Sequence, residues 1–303
     1  MGIFESSVPN IIPTSKTVLR QKYWQWDPIK FNKDTKTWEF SKEKNENINL
    51  DKLSVITYNI WFEDYAFQER LYSVLNLCKG TDIICLQEVR DKALKILLSI
   101  DWIQNEYTIS DSGGNSVYPY GVLILSKIQV SNFIFYPMQS YMNRSFLVAQ
   151  FKVNNEVIEV GTVHLESLSN HKLRIEQLKV ISKVLTSETS IFMGDFNFCS
   201  YRNWVKDSLP LENDSLKDIV PKYVDLWSES SQQTDNKDNK GYTFDSEVNK
   251  MLTHYEQMRY DRIMMKSHSW KCQKIELIGN VAIKESLFPS DHFGLLAEIS
   301  YTK

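Results

Sequence analysis

At 303 residues, 42% hydrophobic and 13% aromatic, the chain has the apolar content for one large domain or two small ones, which excludes disorder throughout. A net charge of -3 excludes a basic coat over the whole molecule, so nucleic-acid binding would have to use a local patch. The cysteines are scattered with no Cys-x-x-Cys pair, and neither an apolar leader nor a run near the ~20 apolar residues of a membrane span occurs; free thiols, a soluble intracellular protein and no membrane partner are expected.

Residues 1–50 are polar and rich in Lys and Asn, with Trp24, Trp26 and Trp38 interleaved with Lys22, Lys30 and Lys33. That spacing suits bases of a single strand stacked beside cations, or, more readily, an extended arm whose aromatics pack on the main domain. Residues 42–51 read as a solvated linker, dividing the chain into an arm, 1–50, and a globular domain, 51–303.

Residues 53–58 read as a strand ending at Asn59. From Phe67, Leu71, Val74, Leu75 and Cys78 follow helical spacing, with Gly80 as the stop. A short buried strand at 83–86 runs into Gln87 and Glu88, and a helix over 91–98 follows. Strands are expected at 121–125, 146–153 and 157–163, the last two joined by an Asn154-Asn155 hairpin turn. A helix over 170–185 puts Leu178, Ile181 and Leu185 on one side, and the strand at 190–193 ends in Gly194-Asp195-Phe196-Asn197. Residues 232–240 read as an exposed mobile loop, and strands at 260–265, 273–278 and 295–299 complete the series. The pattern predicts an α/β (α+β) fold of two packed sheets flanked by helices rather than one parallel sheet.

Polar groups gather where the apolar strands end: Asn59, Glu88, His164 with Ser167, Asp195 with Asn197, and Ser290-Asp291-His292 before the last strand. Each alone has an ordinary reading as turn, cap or exposed charge, Gly-Asp-Phe-Asn above all. Their shared position behind buried strands marks a rigid catalytic platform instead. Glu88 offers the hard carboxylate that Mg²⁺ prefers, with the Asn59 amide beside it. Asp195 can take a proton from a water that Asn197 orients. His164 and His292 can donate to a phosphate whose charge grows in the transition state, and Asp261 is the best partner for the far nitrogen of His292. The sum fits metal-assisted phosphodiester hydrolysis.

In order, Tyr58-Asn59, Leu86-Gln87-Glu88-Val89, the GVLILS run at 121–126, Gly194-Asp195-Phe196-Asn197 and Ser290-Asp291-His292 resemble the motifs of the endonuclease/exonuclease/phosphatase superfamily, with its DNase I-like fold, over about residues 53–300. His164-Leu165-Glu166-Ser167 with Arg174 and Gln177, Met142-Asn143-Arg144, Tyr242-Thr243-Phe244-Asp245 and Asp261-Arg262-Ile263 are similar to the branch that cleaves 5′-tyrosyl–DNA links. The resemblance implies a four-layer sandwich of two mixed sheets between helices. It implies Mg²⁺- or Mn²⁺-dependent hydrolysis of the phosphodiester joining a protein tyrosine to a DNA 5′ end, leaving a 5′-phosphate. The setting would be repair of trapped topoisomerase adducts by a monomer in the nucleus or cytoplasm, with RNA–protein adducts as a further substrate.

By the same resemblance Glu88, Asn59 and Asp291 serve the metal, Asp195 and Asn197 activate water, and His164, Ser167 and His292 hold the phosphate, with Asp261 orienting His292. Arg144, Phe244 and Arg202 would line the substrate path, and Lys127 and Arg174 are further expected DNA contacts. The chain departs from the pattern at Phe196, at Phe244 where Trp is expected, at Cys199 where Arg is expected with Arg202 near, and at Trp61-Phe62. Two other readings stay open: another phosphoesterase of the superfamily acting on a small or lipid phosphoester, and a non-catalytic binding module on the same fold.

Overall fold

The computed structural model describes residues 23–43, 46–230 and 239–302; Lys22 and most of the 232–240 loop lie outside them. The described chain opens with β1 (Trp24–Trp26), β2 (Ile29–Asn32) and β3 (Thr37–Phe40). Next come β4 (Lys52–Asn59), α1 (Phe67–Cys78) and β5 (Ile83–Val89). Helix α1 buries Phe67, Arg70, Leu71, Val74, Leu75 and Cys78, a stripe at helical spacing, and Gly80 ends it at φ 97. The chain continues through α2 (Asp91–Leu98), α3 (Asp101–Glu106), β6 (Thr108–Ile109), β7 (Gly121–Ser126) and β8 (Asn132–Pro137). The hairpin of β9 (Ser145–Val153) and β10 (Glu156–His164) turns at Asn154 and Asn155, both with positive φ as a two-residue turn requires. Helix α4 (His171–Val184) leads to β11 (Thr189–Asp195), followed by α5 (Ser215–Ile219), β12 (Val224–Asp225) and α6 (Leu226–Glu229). The last strands are β13 (Phe244–Asp245), β14 (Gln257–Met258), β15 (Asp261–Lys266), β16 (Trp270–Ile278) and β17 (Gly294–Tyr301).

Two mixed sheets result. One runs β1-β8-β9-β10-β11-β15-β12, the other β16-β17-β4-β5-β7-β6-β2-β3, and a small β13-β14 ribbon stands beside them. Within them β10–β11 and β4–β5 are parallel pairs. Side chains alternate along each strand: Ile191 and Met193 of β11 enter the core shared by the two sheets, while Phe192 between them joins a second core. That second core packs Leu178, Ile181 and Leu185 at α4 and Leu216 of α5 onto Phe146, Val148 and Phe192. Helices α1 and α2 pack on the other sheet through Leu71, Val74, Ala93 and Leu97. The expected four layers are therefore present.

Strand β1 extends the first sheet past β8, and the β2–β3 hairpin extends the second past β6. Trp26 and Trp38 are buried, and the Trp26 indole donates to the Ser110 carbonyl at 2.9 Å. The packing reading of the arm describes them, and they present no stacking face to a nucleic acid. Among the described residues no helix is long and apolar enough to cross a membrane.

Candidate active site

Three neighbouring strands of the first sheet end level with one another. Register pairs His164 of β10 with Asp195 of β11, and Asp195 with Asp261 of β15. Asp195 lies two residues beyond Met193, and Asp261 two before Ile263, both inward-facing core residues, so the pleat turns both acids toward the opposing sheet. Gly194 makes this alignment possible: at φ 144, an added Cβ would meet the Val163 carbonyl oxygen at 1.8 Å. The Gly of Gly-Asp-Phe-Asn therefore permits close strand approach, where composition alone suggested a turn. Phe196 points away from the site, buried against Phe192 and Phe198 with the Arg262 guanidinium over its ring.

The opposing sheet supplies Asn59 and Glu88. Beneath them Gln87 ties the sheets together, its amide nitrogen 3.0 Å from both Thr57 Oγ1 and Thr162 Oγ1. Glu88 adopts φ 61 where the ladder to β7 slips register between Leu86 and Val89. A bulge at a sheet end re-aims a side chain. Here one Glu88 oxygen accepts the Phe62 N–H at 2.8 Å and the other the Asn59 amide at 3.3 Å. The same Asn59 NH₂ donates to Asp195 Oδ2 at 3.0 Å, while its oxygen accepts from Trp61 N at 3.0 Å. The NH₂ has to face the two carboxylates, since the amide oxygen there would oppose two anions. Residues from β4, β5 and β11 thus converge on one centre.

The two histidines differ. Arg144 Nη1 lies 2.9 Å from His164 Nδ1, and because a guanidinium only donates, the imidazole proton sits on Nε2, 3.3 Å from Asp195 Oδ2. Burial, then the Arg144 charge, then His292 hold His164 well below the ordinary histidine range. His292 donates from Nδ1 to Asp261 Oδ2 at 2.8 Å and brings Nε2 to 3.8 Å from Asp195. Burial alone would lower it too, but the Asp261 and Asp195 carboxylates override burial and hold it well above that range. A neutral and a cationic imidazole therefore flank Asp195. Phe244 meets the His292 ring edge-on at 5.2 Å and Tyr260 lies 6.0 Å from it.

Burial foremost raises Asp195 to about 6, Asp261 adding to the rise and His292 opposing it. Glu88 keeps part of its surface open, yet burial of the carboxylate and then the Asp291 charge raise it to about 7; burial also raises Asp291. Asp195 Oδ1 accepts the Asn197 N–H at 2.8 Å, and the Asn197 amide donates to the Leu165 carbonyl at 3.0 Å.

Ser167 donates to Met142 Sδ at 3.0 Å, beside Arg144, whose guanidinium also lies over Tyr120 at 5.3 Å. Among the described residues Arg144 Nε and Asp261 Oδ1 are buried without a hydrogen-bond partner. Arg202 stands apart from this cluster, against Met258 Sδ at 3.1 Å and Glu256 at 3.7 Å. Two expected DNA contacts are corrected. Arg174 is buried and doubly bonded to Glu212, at 2.6 and 2.7 Å, because it joins α4 to the segment before α5. Lys127 pairs with Glu106 beyond the Ser126 end of β7, whereas Gly121 at the other end lies beside Val89.

Two residues without an expected role hold the loops in place. Arg70 donates to the carbonyls of Ile60, Trp61, Glu63, Tyr65 and Pro289, joining the loop after Asn59 to the loop before Ser290. An arginine on the apolar stripe of α1 was the sequence signal for it. Glu166 accepts from Ser140 Oγ at 2.6 Å and Tyr141 N at 3.0 Å, anchoring the loop that carries Arg144.

For a metal, two donor sets compete. Atoms of Asp195, Asp261 and His292 lie within 4.8 Å of one another, but the Asp261–His292 hydrogen bond and the protonated imidazole leave no nitrogen lone pair there. Glu88 and Asp291, two carboxylates whose charges oppose each other, fit a hard divalent cation better.

A profile of the Endonuclease/Exonuclease/phosphatase family matches residues 56–292. Tyrosyl-DNA phosphodiesterase 2 of Xenopus tropicalis is 27% identical over 262 residues, 82% of this chain and 66% of that protein; the chain spans 50% of the Xenopus laevis relative and 65% of the Gallus gallus one. Among solved structures, D. rerio TDP2 complexed with single strand DNA product superposes with TM-score 0.65 at 22% identity, covering 82% of this chain and 99% of that one. Truncated Caenorhabditis elegans TDP2 does so with TM-score 0.65 at 24% identity, covering 82% and 97%. The fold is therefore that of these structures, and the chain belongs to the endonuclease/exonuclease/phosphatase family.

Proposed function

We propose that the chain is a divalent-cation-dependent phosphodiesterase that hydrolyses the link between a protein tyrosine and the 5′ end of a DNA strand. The observation that carries this reading is the convergence of Asn59, Glu88, His164, Asp195, Asp261 and His292 on one centre. The tyrosyl–DNA substrate is supported by the names of its relatives and by the DNA product in the D. rerio structure.

In this reading Asp195 is the base. A value near 6 leaves it charged at neutral pH while keeping it basic enough to accept a proton. It takes that proton from a water whose oxygen forms a bond to phosphorus, and the bond from phosphorus to the tyrosine oxygen breaks. The tyrosine leaves as a phenolate that takes a proton from solvent, Asp195 returns its own proton to solvent, and the DNA keeps a 5′-phosphate. His292, cationic and aligned by Asp261, donates to the phosphate, and His164 does so from Nε2. Arg144 Nε, buried without a partner among the described residues, gains one in a phosphate oxygen. Glu88 and Asp291 would hold Mg²⁺ or Mn²⁺, with the Asn59 NH₂ aligning Glu88 to Asp195. When bound, the cation offsets the phosphate charge that grows in the transition state.

The test is cleavage of a 5′-phosphotyrosyl oligonucleotide beside an inositol phosphate and sphingomyelin, each with Mg²⁺ and with EDTA. The reading expects cation-dependent cleavage of the oligonucleotide alone. Turnover of the small or lipid esters with the oligonucleotide intact would refute it.

A further inference from the structure

Beside the catalytic mouth lies a cavity of about 630 Å³, within the roughly 300–1,000 Å³ of ligand-binding pockets. The start of α4, the loop beyond Asn197 and α5 enclose it. Its walls are mostly apolar, from Ile175, Trp204, Val205, Leu209 and Leu211. Leu209 is 82% exposed and Val205 65%, a large apolar surface for one short loop.

Two contacts join the cavity to the active site. The Trp204 indole donates to the Asn197 carbonyl at 3.2 Å and stacks on Tyr260 at 6.2 Å, the ring that lies against His292. On the other wall, Ser169 follows Ser167 by two residues.

The charge of the lining selects the occupant. Of the lining carboxylates Glu212 is bound twice by the Arg174 guanidinium, and Asp218 has no ion-pair partner among the described residues; His171 is the other titratable group of the lining. Lys217 pairs with Asp214 at 3.4 Å from outside the lining. A strand with a phosphate at every nucleotide meets mostly apolar walls and the unpaired Asp218 carboxylate here, whereas apolar and basic peptide side chains meet complementary walls.

We propose that this cavity receives the polypeptide on the leaving side of the scissile link, as a segment of apolar and basic residues flanking the tyrosine. The proposal rests on the phosphodiesterase reading above. Peptide binding here lowers KM and leaves the chemical step to the residues around Asp195. Trp204 and Leu209, both exposed in the free protein, supply the apolar anchors that peptide binding would cover.

The experiment uses one oligonucleotide with two 5′ groups: tyrosine alone, and tyrosine within a short peptide of apolar and basic residues. The parent is expected to favour the peptide adduct by about tenfold in kcat/KM, through KM. Leu209→Asp and Val205→Glu, both at exposed positions, are expected to erase that preference while cleaving the tyrosine-only substrate at the parental rate. No preference in the parent, or equal losses on both substrates in the variants, would overturn the proposal. So would variants whose KM responds to oligonucleotide length and not to the peptide, which would assign the cavity to the nucleic acid. A parent that cleaves neither substrate refutes the phosphodiesterase reading, and this proposal with it.

Discussion

Asp195 is the residue on which the chemistry turns, and its surroundings set its protonation. Its value near 6 and that of Glu88 near 7 lie above the carboxylate range of an unfolded chain. Between about pH 4 and 7 the native state therefore binds more protons than the unfolded one, and these groups cost stability as pH rises through that window. A divalent cation binds the ionised carboxylates, so Mg²⁺ should raise the melting temperature more at about pH 8 than at about pH 5. Equal shifts at both would contradict the assignment. Asp195→Asn keeps the shape and removes the base; a loss of about 10²–10⁴ in kcat is expected. Asp261→Asn removes the charge that holds His292 cationic, so kcat should fall by about 10²-fold or more, with the rate lost at lower pH than in the parent. An unchanged pH profile would show that the Asp261–His292 bond is only structural.

At the scale of elements, strands carry the site because pleat and register do the aiming. Gln87 is the tie between sheets; Gln87→Leu leaves Thr57 and Thr162 without their buried partner and should cost about 1–3 kcal/mol by denaturant unfolding. Phe192→Ala opens the outer core under α4 and should cost about 3–5 kcal/mol without changing metal dependence. Much of this level was legible in the chain. Helix α2 spans the residues expected of it, α1 starts where its apolar spacing begins, and the polar groups behind β4, β5, β10 and β11 stood out against their apolar runs. What stayed hidden depends on neighbours distant in sequence. The bulge that turns Glu88 inward is a mismatch with β7, and β1 to β3 become strands only because sheet edges await them. Helix α3 and strand β8 escaped because short segments take their form from tertiary packing. Arg174 looked like a surface cation; only the fold brings Glu212 to it.

At the scale of the molecule, both sheets of the sandwich contribute residues to the centre, Asn59 and Glu88 from one and His164, Asp195 and Asp261 from the other. With a net charge of -3, the protein has no general pull on nucleic acid, and with Arg174 and Lys127 paired to Glu212 and Glu106 the expected contacts that remain are Arg144 and Arg202. Oligonucleotide affinity should therefore fall with salt along a shallow slope, about one to three phosphates' worth, as read from log Kd against log salt. A slope of many phosphates would reveal a basic surface that these contacts leave out. The central claim, that the two sheets bring Glu88 and Asp195 into one catalytic centre, is tested most directly by a double-mutant cycle on 5′-phosphotyrosyl cleavage with Glu88→Gln, Asp195→Asn and the pair. Groups that act as a unit are non-additive, so the double variant should retain a rate within about tenfold of the slower single variant. Losses that multiply would mean two independent sites and would contradict the account.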